Sequence, residues 1–232
     1  NFVGDDAIDL NTIVSGDASA GGFKDKISKD NLNGAGFTIS ASNVKFAEGA
    51  KLAVGAADLN FGSLTAGKSG AFQIAGGKVT INNAIEVTAS GDTSALTIAD
   101  SGSLTLDAKG QSGSITAKTI TVNAANNTDK ALNIKGTWGT AANITVTKGV
   151  VSLNSATLNL TGKLAAADSA NGTVVADNST INTVGSGSVA LSGGTLTLQN
   201  NARLELDKLD LLKDQSGKLV LDNTKFAQNS VT

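Results

Sequence analysis

The sequence predicts an all-β protein, a parallel β-helix (solenoid) with about three short strands per coil of roughly 22–23 residues and an N-terminal cap. Two observations predict this fold. Apolar residues alternate with polar ones along most of the chain, and a period of two places them on one face of a strand. A glycine frame also recurs at Gly149, Gly172, Gly194 and Gly217, at an interval of roughly 22–23 residues. Because such a period is typical of stacked repeats, each repeat is expected to form one coil.

Each glycine of the frame opens the same pattern of an apolar-x-apolar strand, a polar corner and a second apolar position. The four corners are Asn154-Ser155, Asp177-Asn178, Gln199-Asn200 and Asp222-Asn223. Asn and Asp tolerate the left-handed backbone conformation that a sharp bend requires. Strand starts commonly recur about three times within one glycine interval, so about three strands fit each coil.

The apolar positions of one repeat are predicted to point into a continuous core. These positions are Leu196, Leu198, Leu204 and Leu206. Their equivalents in the adjacent coils, on which they are expected to stack, are Val174, Ile181, Leu219 and Leu221. In such a solenoid a strand bonds to the coils above and below it, so it can be short and still be stabilised on both sides.

An antiparallel sandwich or barrel is the alternative fold, since it would also show many short strands. Its hairpins would favour Asn-Gly or Asp-Gly turns. The chain has only Asn33-Gly34 and Asn171-Gly172 and contains no Asp-Gly. It also contains no proline, which fits a backbone whose N–H groups are nearly all used in sheet ladders. The parallel β-helix is therefore favoured.

The chain divides into a cap over residues 1–36 and a β-helix over residues 37–232. The first segment does not follow the repeat, and its charged stretch 23–34 predicts one short helix with Phe23 and Ile27 on one face. A solenoid needs such a cover, because an open end exposes core and strand edges. Two stretches, 123–131 and 136–143, are predicted to be loops. Trp138, in the second loop, is expected to pack over a coil edge, and a ligand-stacking platform is the alternative.

The composition argues against an enzyme. The chain has no His and no Cys, so it lacks the usual general base and thiolate groups. Asp177 and Asp222 fall at corner positions two coils apart, and turn residues are the favoured interpretation. The acidic residues Asp5, Asp6 and Asp9 are candidate calcium ligands, but solvated cap residues are favoured over a calcium site. No catalytic residue, cofactor or cofactor-binding residue is predicted.

Charge and hydropathy limit the partners further. The net charge is −2 with both signs interspersed, so no nucleic-acid partner is expected. No run approaches the ~18 apolar residues of a membrane helix, so no transmembrane segment is expected in this chain. Since the chain contains no Met, it is expected to be a processed or excised segment. Three outward threonine pairs do not recur in the glycine frame, so ordinary strand surface is favoured over an ice-binding face: Thr119/Thr121, Thr145/Thr147 and Thr195/Thr197.

The repeated pattern G-x-φ-x-φ-[N/D/Q]-[N/S]-x-x-φ, in which φ is apolar, resembles the passenger domains of autotransporter (type V secreted) adhesins of Gram-negative bacteria. The best matches are residues 149–160, 172–181, 194–206 and 217–226, and the resemblance covers roughly residues 37–226. It implies a right-handed β-helix displayed outside the cell at the bacterial outer membrane. It also implies adhesion or self-association through the long face, with the same protein or a host-surface or matrix glycan or protein as partner.

Two other functions stay open. The proline-free, cysteine-free, Thr-rich chain also resembles bacterial surface-layer proteins, so a structural subunit of a surface layer or extracellular filament is the alternative. A carbohydrate-active β-helix enzyme is the third hypothesis. Such enzymes use clustered Asp and Glu from adjacent coils. The coil region of this chain disperses its carboxylates instead.

Overall fold

The computed structural model describes residues 7–9, 38–46, 51–66, 71–87, 94–167, 171–206, 209–210, 217–222 and 230–231. Within these ranges every helix or strand is a β-strand, and there are 18 of them. The strands are β1 Ala7–Asp9, β2 Thr38–Phe46, β3 Lys51–Ala66, β4 Ala71–Val87, β5 Ala95–Asp100, β6 Ser103–Thr116, β7 Thr119–Ala124, β8 Lys130–Thr140, β9 Asn143–Leu160, β10 Lys163–Ala167, β11 Gly172–Asp177, β12 Thr180–Thr183, β13 Ser188–Ser192, β14 Thr195–Gln199, β15 Arg203–Glu205, β16 Leu209–Asp210, β17 Lys218–Asp222 and β18 Ser230–Val231.

The strands stack in parallel as a β-solenoid with about 23 residues per turn. From β10 onward each turn contributes three strands, and strands three apart in sequence pair with each other. We call the stack containing β11, β14 and β17 face 1. The stack containing β12, β15 and β18 is face 2, and that containing β10, β13 and β16 is face 3. The predicted parallel β-helix with about three strands per coil is thereby confirmed.

Several strands before β10 are longer than the sequence predicted. Strands β3, β4, β6 and β9 have 16, 17, 14 and 18 residues, because they bend through a corner without leaving the sheet. Strand β9 pairs with β10, β11 and β12 in turn and so contributes to all three faces. On face 1 the described residues form nine stacked segments, contributed by β2, β3, β4, β6, β8, β9, β11, β14 and β17.

The inward side chains form one apolar core, as the alternation predicted. Leu196, Leu198 and Leu204 are fully buried, and Leu196 lies between Val174 and Leu219 in the register. Burial of one such side chain contributes about 1.5–3 kcal/mol to folding. Three leucines depart from the prediction, and one of them is Leu219, which is only partly buried against the core. Leu206 is only partly buried against the core, and Leu221 is 48% exposed.

The exposure of Leu221 has a positional cause. Among the described residues, β17 pairs on one side only, with β14, whereas β14 pairs with strands on both sides. Within the described residues, a side chain of β17 therefore has a stacked neighbour on one side only, whereas Leu198 has one on each side. The burial of residues near an end of a stack depends on what covers that end. The alternation of apolar residues gives no information about that cover.

The predicted N-terminal cap is described only over Ala7–Asp9. This short strand pairs in parallel with β2, with Ile8 opposite Val44. It therefore continues the stacking of the solenoid within the segment 1–36. The helix predicted over residues 23–34 lies outside the described residues.

The predicted loop at 136–143 is wrong, because β8 runs through Lys130–Thr140 and carries Trp138 into the core. The indole is fully buried, and its Nε1 donates to the carbonyl oxygen of Lys135 at 2.9 Å. In the register Trp138 lies between Gly113 and Leu158, and a Cβ added at Gly113 would be 2.5 Å from the ring. Trp138 is thus a core residue, neither a coil-edge residue nor a ligand platform. The other predicted loop shortens to residues 125–129, between β7 and β8.

Candidate interaction surface

The polar corners after face 1 have the backbone conformation that their residue types predict. Ser155, Asn178 and Asn200 have φ values of 49°, 47° and 59°, all in the left-handed region. Asn and Asp visit this region more readily than other residues with a Cβ. The predicted corners at Asn154-Ser155, Asp177-Asn178 and Gln199-Asn200 are therefore confirmed, and Asn223 of the fourth corner lies outside the described residues. We call these three stacked corners the corner ladder.

Side-chain hydrogen bonds join the coils along the corner ladder. The Nδ2 of Asn178 donates to the Oγ of Ser155 at 3.3 Å. One carboxylate oxygen of Asp177 accepts from the Nε2 of Gln199 at 3.0 Å, and the other accepts from the Nδ2 of Asn200. Asp177 therefore acts as a corner residue held by the following coil. Gln199 separates it from Asp222 in the register, so the two carboxylates are not adjacent.

A buried serine supports the same corner from within. The Oγ of Ser179 donates to the carbonyl oxygen of Asp177 at 2.7 Å and accepts from the backbone N–H of Ala156 at 2.9 Å. Its hydroxyl thus links two coils, and the residue is 3% exposed. Sequence reasoning missed Ser179, although its place directly after the Asp-Asn corner fits a hydroxyl that bonds nearby backbone groups.

Threonines form a row on the outside of face 3. Thr97, Thr121 and Thr145 are partners in the register of β5, β7 and β9, and all three are partly exposed. Successive strands lie about 4.8 Å apart, so the three side chains repeat at that interval. Thr121 and Thr145 are therefore direct neighbours in the register, although the threonine pairs do not recur in the glycine frame. Thr147 is engaged internally, because its Oγ1 donates to the carbonyl oxygen of Val122 at 3.0 Å.

A second outward array lies on the C-terminal part of face 1. Its residues alternate with buried ones along β9, β11 and β14 and include Val220 of β17, and all are partly exposed and uncharged. We call this array the β-branched patch, since six of its seven residues are β-branched. The patch consists of Val150, Thr173 and Thr195 in one row and Ser152, Val175, Thr197 and Val220 in the other.

The candidate calcium ligands are not brought together by any described contact. Asp9 lies in β1, opposite Lys45 in the register, and Asp5 and Asp6 lie outside the described residues. In the part of the chain that the structure describes, no three His, Cys, Asp or Glu residues are grouped so that they could hold a metal ion. Asp5, Asp6 and Asp9 stay candidate calcium ligands predicted from the sequence.

Comparison of this chain with protein-family models, with curated proteins and with solved structures gives no match. Within the described ranges, no helix has the length and apolar character needed to span a bilayer. The class that the fold defines is a parallel β-solenoid repeat protein, and the outer rows of faces 1 and 3 are its candidate interaction surface.

Proposed function

We propose that this chain is a non-enzymatic extracellular bacterial surface protein that mediates adhesion or self-association through faces 1 and 3. The observation that carries the proposal is the alignment of outward side chains into rows. Thr97, Thr121 and Thr145 form one such row, and the β-branched patch adds two more. The register gives a partner several copies of the same group at a fixed interval instead of one specific pocket.

Weak contacts of this kind require repetition to give useful affinity. A hydrogen bond to a surface hydroxyl contributes on the order of 1 kcal/mol, which is too little for stable binding by itself. When many copies of a chain are displayed together, later contacts form at a high effective concentration and the avidity exceeds the single affinity by about 10²–10⁴. We therefore expect a chain that binds weakly alone and cohesively in arrays, on a cell surface of the autotransporter kind.

The hydrogen bonding of the polar corners supports a structural role for them. Both oxygens of the Asp177 carboxylate accept from side chains of the next coil. The hydroxyl of Ser179 bonds to backbone groups of its own coil and the neighbouring one. These groups hold the solenoid together. The partner that we propose is a second copy of the chain or a host-surface or matrix glycan or protein, and not a nucleic acid.

The test compares the chain, residues 1–232, displayed densely on beads with the same amount of protein in solution. We expect displayed chains to clump the beads or to bind cells or extracellular matrix, and soluble chains to do neither at the same concentration. Beads that carry heat-denatured chain are the control. Dispersed beads that bind neither cells nor matrix would refute the proposal. Sheets or fibres that form from soluble protein would favour the surface-layer subunit, and cleavage of a polysaccharide would favour the carbohydrate-active enzyme.

A further inference from the structure

We propose that the β-branched patch is a self-association site whose partner is the same patch on a second copy of this chain. The inference deepens the proposed function and rests on its self-association part. It commits to face 1, to a side-by-side arrangement and to a weak contact that needs dense display. The argument rests on the chemistry of the patch, its borders and its area.

The chemistry of the patch suits a copy of itself. The methyl groups of Val150, Val175 and Val220 lie among the methyl and hydroxyl groups of three threonines in the two rows. Two such sheet faces can pack about 10 Å apart with their side chains interdigitated. Both faces repeat at about 4.8 Å, so contacts made at one level recur at the next. No residue of the patch offers a charge to attract an oppositely charged partner.

Lysines at the two ends of one row select the relative orientation of the copies. Lys130 precedes Val150 in the register, Lys218 follows Thr195, and both lysines are exposed. If two copies met with their solenoid axes antiparallel, this row would face the same row of the other copy in the opposite direction. Lys130 of one copy would then lie opposite Lys218 of the other. If the solenoids were parallel, this row would face the other row, and each lysine would oppose an uncharged residue. Like charges that face each other are unfavourable, so parallel copies standing side by side are preferred.

The area of the patch predicts that a single pair is weak. Four levels at about 4.8 Å and four residues of strand at about 3.3 Å cover about 250 Å² on each partner. Stable protein–protein interfaces bury about 800 Å² on each partner. One pair of patches should therefore dissociate readily in dilute solution, and neighbouring copies held on one surface should associate through avidity.

The plain alternative is that Val and Thr occur here only because they favour strands. A cross-linking experiment separates the two explanations. Because the chain contains no Cys, a single substitution gives a unique thiol. Thr197→Cys places the thiol in the patch, and Thr180→Cys places a matched thiol on face 2, where Thr180 is also an outward, partly exposed strand residue. Each variant is displayed densely and treated with a short bismaleimide, and the dimer yield is measured after release.

We expect a dimer yield about tenfold higher for Thr197→Cys than for Thr180→Cys at equal surface density. Adding Thr173→Glu and Thr195→Glu, which are register neighbours in the patch, should lower the yield at Thr197→Cys to that of the control. Glutamates at Thr157 and Thr180, which are register neighbours on face 2, should leave the dimer yield at Thr197→Cys unchanged. Circular dichroism melting curves of the two glutamate pairs check that both fold equally well.

Equal yields at the two cysteines, or a high yield that survives the patch glutamates, would overturn the inference. These results are separable from those of the bead assay. Beads that clump while the two cysteines cross-link equally would leave the proposed function standing and place self-association on another face. Specific cross-linking at Thr197→Cys on beads that stay dispersed and bind nothing would support the patch and refute adhesion between surfaces.

Discussion

Replacing Gly172 with alanine should destabilise the solenoid, whereas the same change at Gly139 should not. Gly172 opens β11 and is the second glycine of the repeat frame. A Cβ at this position would lie 2.1 Å from the carbonyl oxygen of Val146 and 3.1 Å from that of Ala167. Ordinary contacts of this kind begin at 3.4 Å, so one backbone would have to move by more than 1 Å. No rotamer change can relieve a clash between two backbones.

The size of the effect follows from what would have to move. Val146 lies in β9 and pairs with Ala166 of β10, so a shift of its carbonyl disturbs two strands of face 3. Overpacking of a core typically costs 1–3 kcal/mol, and a clash with paired backbone should reach about 3 kcal/mol. For a chain of this size each kcal/mol lowers Tm by about 2–4 °C, so we expect a Tm lower by about 6–12 °C.

Gly139 provides the matched control within the same solenoid. It lies in β8, no atom lies within 4 Å of its added Cβ, and its φ is outside the left-handed region. Alanine there restricts the unfolded chain without a clash and should stabilise the protein by about 0.4–1 kcal/mol. The two substitutions are therefore expected to change the stability in opposite directions, although the chemical change is identical.

Thermal unfolding of both variants by circular dichroism measures this difference. Because solenoids can open one repeat at a time, amide hydrogen exchange should accompany the melts, with faster exchange expected in β9, β10 and β11 of Gly172→Ala. If the Tm of Gly172→Ala equalled or exceeded that of Gly139→Ala, close approach of the coils would not explain the glycine frame.

Three further predictions test the core and the corners. Trp138→Ala should cost about 3–5 kcal/mol in denaturant unfolding, because the fully buried indole leaves a large cavity, and a loss below about 1 kcal/mol would contradict its place in the core. Asn178→Gly loses the hydrogen bond to Ser155 and should cost no more than about 1 kcal/mol, whereas Asn178→Val also places a β-branched residue at a φ of 47° and should cost about 1–2 kcal/mol more; equal melting curves would argue against a left-handed corner. Leu198→Asp should open the C-terminal coils to limited proteolysis, because it buries an unpaired charge at a position with no exposure; an unchanged digestion pattern would refute this.

Face 1 could be predicted from the sequence because its signals are local. A side chain at Gly172 would collide with the preceding coil, so the frame that reveals the repeat also records where the coils approach most closely. The corner at Asn178 needs a left-handed residue, and its residue type reports this need directly. Period-two alternation then places Leu196 and Leu198 inside without reference to any distant part of the chain.

Trp138 shows why other parts could not be predicted. Its surroundings, GTWGT, contain the glycines expected of a loop, and nothing next to it in sequence indicates burial. The space for the indole is made by Gly113, which belongs to the preceding coil and lies beside Trp138 only in the register. The same limit applies to Leu221, whose exposure depends on what lies beyond β17 and not on its own alternation.

The outer rows were missed for a related reason. The interval from Thr97 to Thr121 equals that from Thr121 to Thr145, and both are longer than any interval between successive glycines of the face 1 frame. Because coils differ in the length of their corners, the number of residues between register neighbours differs from face to face. One fixed sequence period therefore cannot identify the register neighbours on all three faces. Only the strand register shows that Thr121 lies directly beside Thr145.

In the solenoid, the residues that stabilise the fold point inward and those proposed to mediate association point outward. This separation makes the proposal testable. Along β14, Leu196 and Leu198 are fully buried, whereas Thr195 and Thr197 between and beside them are partly exposed. Substitution of an inward residue is therefore expected to cost several kcal/mol, and substitution of an outward residue usually costs within about 0.5 kcal/mol. Glutamates at Thr173 and Thr195 should consequently abolish association in a chain that still folds. If association and folding instead fell together in every such variant, the outer rows would be part of the fold and not a separate interaction surface.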